Sequence, residues 1–138
     1  MFKPKHVYIE KEALDYTLGK ELKKQFEDMQ IPVDILESNR VNFLRGKSVQ
    51  EKYEIGKRVL VIGVRRTLEF QSCKPSAHYQ LPLVTGCIGK CEYCYLNTNL
   101  KDKPFTRIYV NLDDILKKAK RYTQTGKFKP TIFEGSAT

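Results

Sequence analysis

The sequence predicts an α/β fold in two parts, a small N-terminal α/β domain over residues 1–77 and a strand–loop–helix–strand unit over residues 78–138. Three observations predict this fold. Leucines recur every four residues after a short first strand, "RVLVIGV" (58–64) is apolar on both faces, and a second helical stripe follows a later strand. Strands that alternate with amphipathic helices indicate a parallel sheet. The boundary between the two parts is expected in "QSCKPSA" (71–77).

The first part is predicted to contain three strands and two helices. The strands are "HVYIE" (6–10), "IPVDILE" (31–37) and the buried segment 58–64. An amphipathic helix, which Gly19 is expected to divide, lies between the first two strands. Its apolar stripe is formed by Leu14, Leu18, Leu22, Phe26 and Met29. "SVQEKYEIGKR" (48–58) predicts one or two further helical turns.

The second part opens with "HYQLPLVTG" (78–86), which is strand-like despite Pro82. "TRIYVN" (106–111) is a further predicted strand, and "KPTIFEGSA" (129–137) is predicted to be a strand that ends in a turn.

A helix is predicted between these last two strands. Asn111 can cap its N-terminus, Asp113 and Asp114 occupy its first turn, and Gly126 closes it. The apolar stripe of this helix consists of Leu112, Ile115, Leu116, Ala119 and Tyr122. Strand, loop, helix and strand in this order predict a parallel βαβ arrangement.

Length and composition limit the function. A chain of 138 residues fits one domain with a modest core and is shorter than the roughly 250 residues of a complete large barrel. Neither a signal peptide nor a membrane span is visible, so we expect a cytoplasmic protein without a membrane partner. No sequence feature indicates an oligomeric state, and a monomer is the default expectation. The net charge of +9 fits either a nucleic-acid partner or simply a soluble basic surface.

The segment "GCIGKCEYCYLN" (86–97) carries three of the four cysteines, Cys87, Cys91 and Cys94. In a reducing compartment, clustered cysteines are more often metal ligands or redox groups than disulfides. A zinc site would need a fourth ligand, from Cys73 or His78. An iron–sulfur cluster held by three cysteines would leave one iron open, and the spacing favours this cluster over zinc.

Glycines and tyrosines accompany the cysteines in this loop. Gly86 and Gly89 fit backbone that turns closely around a cluster, although ordinary loop glycines would look the same. Tyr93 and Tyr95 flank the third cysteine, where an aromatic ring could stack on a cofactor, shield the site or simply belong to the core.

The motif C-x3-C-x2-C, with an aromatic residue before its last cysteine and a strand before its first, resembles the signature of radical S-adenosylmethionine (SAM) enzymes. Three longer segments are similar to the spore photoproduct lyase family: "KPSAHYQLPLVTGCIGKCEYCYLNT", "RIYVNLDDIL" and "FEGSAT". This resemblance extends from "VYIE" to the last residue and is most specific in the cysteine segment.

The resemblance implies a fold, a reaction and partners. The fold would be a partial (β/α)6 radical SAM barrel, of which residues 78–138 form the first βα units. The family uses a 4Fe-4S cluster and SAM to make a 5'-deoxyadenosyl radical, which starts the reversion of the spore photoproduct to two thymines in DNA. Expected partners are DNA with this lesion and an electron donor such as a flavodoxin or ferredoxin, in the cytoplasm of a spore.

Site residues follow from the resemblance by position. Cys87, Cys91 and Cys94 would bind the cluster, and Tyr93 would lie beside the SAM adenine. Tyr95 would lie near SAM and the hydrogen-transfer path. In the final turn, Ser136 would contact the methionine moiety of SAM.

The sequence departs from the family in two respects. Ala137 stands where the family has a cysteine that donates a hydrogen atom to the thymine radical, which suggests an engineered variant or a diverged homologue with impaired repair. The sequence also stops after the second predicted barrel strand, so we expect an N-terminal fragment of the enzyme. Two alternatives stay open, a radical SAM enzyme for another substrate and a basic zinc-binding nucleic-acid module.

Overall fold

The computed structural model of the protein describes residues 2–38, 40, 44–72, 75, 77–91, 104–125 and 131–137. The strands are β1 (His6–Glu10), β2 (Val33–Leu36), β3 (Val59–Gly63), β4 (Tyr79–Thr85), β5 (Thr106–Tyr109) and β6 (Phe133–Ala137). The helices are a 3-10 helix (Lys11–Asp15), α1 (Thr17–Asp28), α2 (Val49–Gly56) and α3 (Leu112–Thr125). The predicted α/β class is confirmed.

All six strands form one sheet in the order β2-β1-β3-β5-β4-β6. Neighbouring strands are parallel except β4 and β5, which are antiparallel. The predicted parallel arrangement of the strand before the cysteine loop and the strand after α3 is confirmed, because β4 and β6 are parallel partners. The position of β5 between β3 and β4 was not predicted, and it joins the two halves of the chain in one sheet. The division at residue 77 stays a prediction.

Both faces of β1 and β3 are covered. On one face, the 3-10 helix and α1 cover alternate residues of β1 and β3, including Val7, Ile9 and Ile62. On the other face, Ile55 of α2 packs against a cluster that contains Val59 and Val61. All residues of β3 are buried, as its apolar sequence predicts for a strand enclosed on both faces.

The predicted division of the first helix at Gly19 is wrong. The chain breaks earlier, at Tyr16, where an extended residue separates the 3-10 helix from α1. Gly19 is a buried residue inside α1, and a Cβ atom added there would lie 1.9 Å from the carbonyl oxygen of Ala13. This glycine is therefore required by a close backbone approach and not by a helix end.

We expect Gly19→Ala to lower the free energy of unfolding by roughly 1 to 3 kcal/mol, the usual cost of overpacking, because the clash is with backbone and no side chain can move aside. Urea unfolding measures the change. Lys24→Ala, at an exposed position of the same helix, is the control and should change stability by no more than about 0.5 kcal/mol. Equal stability of the two variants would contradict the steric explanation.

The stripe of α3 is only partly buried. Ile115 and Ala119 join a core that also contains Phe70 and Tyr109, and Tyr122 packs against it. Leu112 and Leu116, which also belong to the predicted stripe, are 37% and 55% exposed. Strand β4 contributes partly buried residues to this core.

Two further predictions concern the ends of elements. Asn111 directly precedes α3, and its backbone carbonyl accepts a hydrogen bond from Ile115 N at 3.2 Å, as expected at the cap position. Its buried side chain accepts a hydrogen bond from Arg65 N and donates one to Arg65 O, both at 2.9 Å, so it also holds the neighbouring connection. The segment expected to turn after "TIFE" is still strand, since β6 continues through Ala137. Gly126 lies outside the described residues. In the part of the chain that the structure describes, no helix is long and apolar enough to cross a membrane.

Candidate functional site

The cysteine loop starts at the C-terminal end of β4, in agreement with the prediction. Cys87 is partly buried and Cys91 is exposed, and neither forms a disulfide bond. Residues 92–103 lie outside the described part of the chain. The predicted roles of Cys94, Tyr93 and Tyr95 therefore stay predictions.

The sulfur atoms of the first two cysteines converge on Gly89. A Cβ atom added to Gly89 would lie 3.5 Å from Cys87 Sγ and 3.7 Å from Cys91 Sγ. The amide of Gly89 also donates a hydrogen bond to Cys87 Sγ at 3.3 Å. Hydrogen bonds to ligand sulfurs are among the features that set the potential of an iron–sulfur cluster. Two of the three expected ligands are thus on the same side of the loop. The residue between them, Gly89, has no side chain.

Gly86 brings the two ends of the loop together. Its φ angle is +87°, and a Cβ atom there would lie 2.5 Å from the carbonyl oxygen of Phe105. Both the left-handed backbone and the close approach exclude a larger residue. The chain therefore leaves β4 and re-enters the sheet at neighbouring points, and the cysteines lie on the excursion between them.

We expect Gly86→Ala to destabilise the protein by roughly 1 to 3 kcal/mol through backbone strain, with a further loss from the contact with Phe105. The midpoint of thermal unfolding measures the effect. Gly46→Ala is a matched control, because Gly46 also has a positive φ, +78°, but its added Cβ atom would meet nothing within 4 Å. If both variants lose the same stability, the contact with Phe105 contributes nothing.

Helix α2 contacts the cysteine loop. Lys57, which follows α2 directly, is buried and donates from Nζ to the carbonyl oxygen of Cys87 at 2.7 Å. Glu54 forms an ion pair with Lys90 of the loop at 3.1 Å. Gly56 packs against the segment after the loop, because a Cβ atom there would lie 2.7 Å from Pro104 Cγ. The helix thus meets both ends of the loop.

The start of α2 explains why this short helix forms. Ser48 Oγ accepts a hydrogen bond from Glu51 N, and Glu51 Oε2 accepts one from Ser48 N. This reciprocal capping box satisfies two backbone donors at the helix N-terminus. The contacts of Lys57 and Glu54 with the loop were not predicted from the sequence. A helical pattern does not indicate which charged residue contacts a loop that is distant in sequence.

The C-terminal end of β6 lies beside the strand that leads into the cysteine loop. Ala137 pairs with Val84, three residues before Cys87. The register shifts between Leu81 and Val84, around Pro82, which has no N–H to donate to the ladder. The backbone of residues 136 and 137 is thus at the same edge of the sheet as the loop.

His78 is badly placed to complete a zinc site. It precedes β4 whereas the cysteines follow it, and a seven-residue strand is roughly 20 Å long. Its Nδ1 atom already accepts a hydrogen bond from Ile132 N at 2.9 Å. Ser72 pairs with Tyr79 at that same distant end, and Cys73 itself is outside the described residues. Among the described residues, no group of three histidine, cysteine or acidic side chains is arranged to hold a metal ion.

Comparison with known proteins supports the resemblance. A family model described as spore photoproduct lyase matches residues 2–138. The chain is 50% identical over 133 residues to the spore photoproduct lyase of Clostridium acetobutylicum and 46% identical over 138 residues to that of Bacillus subtilis. These matches cover 96% and 99% of the chain. The chain spans about 40% of the length of these relatives.

Solved structures agree with the sequence matches. A mutant spore photoproduct lyase with bound AdoMet and dinucleoside spore photoproduct has a TM-score of 0.91 and 51% identity, and the match covers 99% of this chain and 41% of that one. A spore photoproduct lyase complexed with the dinucleoside alone has a TM-score of 0.90 and 48% identity, again over 99% of this chain and 41% of the other. A family model that matches almost every residue, together with these relatives, shows that the chain belongs to the spore photoproduct lyase family.

Proposed function

We propose that this chain supplies the cluster-binding loop and the first barrel strands of a radical SAM lyase, which reverts the spore photoproduct in DNA to two thymines. The convergence of Cys87 and Cys91 on Gly89, in a chain of this family, carries the proposal. The AdoMet and dinucleoside lesion in a related structure support the assignment of cofactor and substrate.

The residues present fit a 4Fe-4S cluster. Two thiol side chains on the same side of a short glycine-containing loop are the donors that iron–sulfur clusters use. Cys94 is proposed as the third ligand, which leaves one iron for SAM. When bound, the cluster and SAM supply the radical that removes a hydrogen atom from the lesion. Cys87 and Cys91 would hold the iron, while Gly89 donates its backbone N–H to Cys87 Sγ and Gly86 keeps the loop ends together.

Three other residues have proposed contacts with SAM. Tyr93 would stack beside the adenine, Tyr95 would lie near SAM and the hydrogen-transfer path, and Ser136 would contact the methionine moiety. The assignment of Ser136 is supported by the backbone register, because β6 ends beside the strand that leads into the cysteine loop.

Ala137 is proposed to leave the enzyme without its own hydrogen donor. A methyl side chain has no S–H to give to the thymine radical that forms when the lesion opens. The lesion would therefore still be attacked, but it would give little clean thymine. An engineered variant or a diverged homologue would behave in the same way.

DNA and an electron donor are the proposed partners. The net charge of +9 suits contacts with DNA phosphates. A base within a duplex must also leave the stack, at a cost of a few kcal/mol that damage reduces. An external donor such as a flavodoxin or ferredoxin would supply the electron, and we propose a cytoplasmic monomer.

Anaerobic reconstitution followed by iron, sulfide and zinc analysis tests this function. We expect brown protein with about four irons per chain. In the intact protein we also expect cleavage of SAM to 5'-deoxyadenosine that increases when DNA containing the spore photoproduct is added. Colourless protein with one zinc would instead support a zinc module. Four irons with no response to the lesion would indicate a radical SAM enzyme for another substrate.

A further inference from the structure

Lys57 is a buried lysine beside the first cluster ligand. It is 5% exposed, its Nζ atom is 2.7 Å from Cys87 O, and it lies 5.5 Å from the centre of the Tyr53 ring. None of the ion pairs in the described part of the chain includes Lys57. Burial of an ammonium group is unfavourable unless polar contacts compensate it, so this lysine needs an explanation.

The backbone of Lys57 is fixed by α2. Its N–H donates to Tyr53 O at 3.0 Å and ends the helix. Many lysines at this position turn back to the last helical carbonyls. Here the side chain reaches the carbonyl of Cys87 in another element.

The hydrogen bond from Lys57 is made to the first peptide of the cysteine motif. It fixes the Cys87 carbonyl and with it the peptide plane between Cys87 and Ile88, because that plane is rigid. The next peptide carries the Gly89 N–H that donates to Cys87 Sγ. A second contact, Glu54 with Lys90, lies one helical turn earlier and holds the loop on the same side of α2.

The two lysines that hold the loop differ in charge environment. The charge of Lys90 is offset by Glu54, and both side chains are about half exposed, at 45% and 50%. The charge of Lys57 is buried, where electrostatic interactions are screened less than at the surface. A positive charge at this position would stabilise the negatively charged thiolate ligands. It would also stabilise the electron that a cluster gains on reduction.

We propose that Lys57 is a positioning residue of the cluster site, an inference that rests on the proposed function. It presets the Cys87 ligand through the peptide carbonyl, and its buried charge raises the reduction potential of the bound cluster. Outer contacts that orient ligands commonly change metal affinity by about 10- to 100-fold, and net charge is one of the features that set cluster potentials.

Three substitutions in the intact protein separate the two effects. Lys57→Met removes donor and charge, and we expect cluster loss to a chelator to be about 10- to 100-fold faster, with a more negative midpoint potential. Lys57→Gln keeps an N–H donor without the charge, so we expect near-normal iron retention with the potential still lowered. Lys57→Arg keeps both donor and charge and should restore both properties.

The control is Lys47→Met, which removes the same charge from an exposed lysine that precedes α2. It should leave iron retention and potential unchanged. Circular dichroism of each apo-protein verifies the fold, and if Lys57→Met does not fold, the Gln and Arg variants still test the charge. Redox titration followed by electron paramagnetic resonance gives the potentials.

The outcomes distinguish this inference from the proposed function. If unsubstituted protein binds four irons and the Met and Gln variants match Lys47→Met in retention and potential, Lys57 has no role and the function stands. If unsubstituted protein binds no cluster, both proposals are overturned. Lower potential in the Gln variant with rapid iron loss only in the Met variant would support both parts of the Lys57 inference.

Discussion

Cys91→Ala is expected to abolish cluster binding, with iron falling from about four atoms per chain to less than about one. Two remaining thiolates cannot hold a cubane that uses three protein ligands. Iron and sulfide analysis after anaerobic reconstitution measures the loss, and the absorbance of the brown cluster should disappear with it. SAM cleavage should fall to the background of protein without iron.

The exposed position of Cys91 makes this variant informative. Because its side chain is exposed, the apo-protein should keep its stability within about 0.5 kcal/mol, so lost iron cannot be ascribed to unfolding. Cys73→Ala is the matched control, since it removes a thiol outside the motif and should retain all the iron. Equal iron in both variants would rule out the proposed ligand set.

Ala137→Cys is expected to restore thymine formation, by at least about tenfold, which corresponds to about 1.4 kcal/mol in the barrier. The new S–H group would give its hydrogen atom to the thymine radical at a position whose backbone pairs with Val84, beside the cysteine loop. Product analysis of a dinucleoside spore photoproduct reaction measures thymine against side products.

Two controls accompany the Ala137→Cys experiment. SAM cleavage should be similar in both proteins, because the substitution acts after the lesion has been attacked. Thiol hydrogen exchanges with water, so thymine formed by the variant in D2O should carry deuterium. Thymine that does not increase, while SAM cleavage is retained, would show that position 137 is not the donor site.

Local sequence patterns predicted most of the elements. β1 and β3 are strands where their short segments predicted them, β3 with apolar residues throughout, and Ser48 with Glu51 forms a cap within one helical turn. The three cysteines of the motif are within eight residues of one another, so their spacing alone favoured a cluster over zinc. The exposed Leu116 shows what such patterns cannot predict. An apolar stripe indicates a helix, but it does not indicate how much of the stripe a neighbouring element covers.

Contacts between distant parts of the chain were not predictable in this way. Gly86 is required by the close approach of the Phe105 carbonyl, and no pattern of residue types records such an approach. The connection between β4 and β5 is long enough for either strand direction, so their antiparallel pairing was open until the sheet was known.

The sequence by itself determined the α/β class, the family resemblance and the cysteine set, because each depends on residues close together in the chain. Only the tertiary structure decided that β5 unites the two halves, that His78 is a strand's length from the cysteines, and that Lys57 is buried against Cys87. The physical reason is that sheet order and the burial of a charge arise from packing between elements distant in sequence.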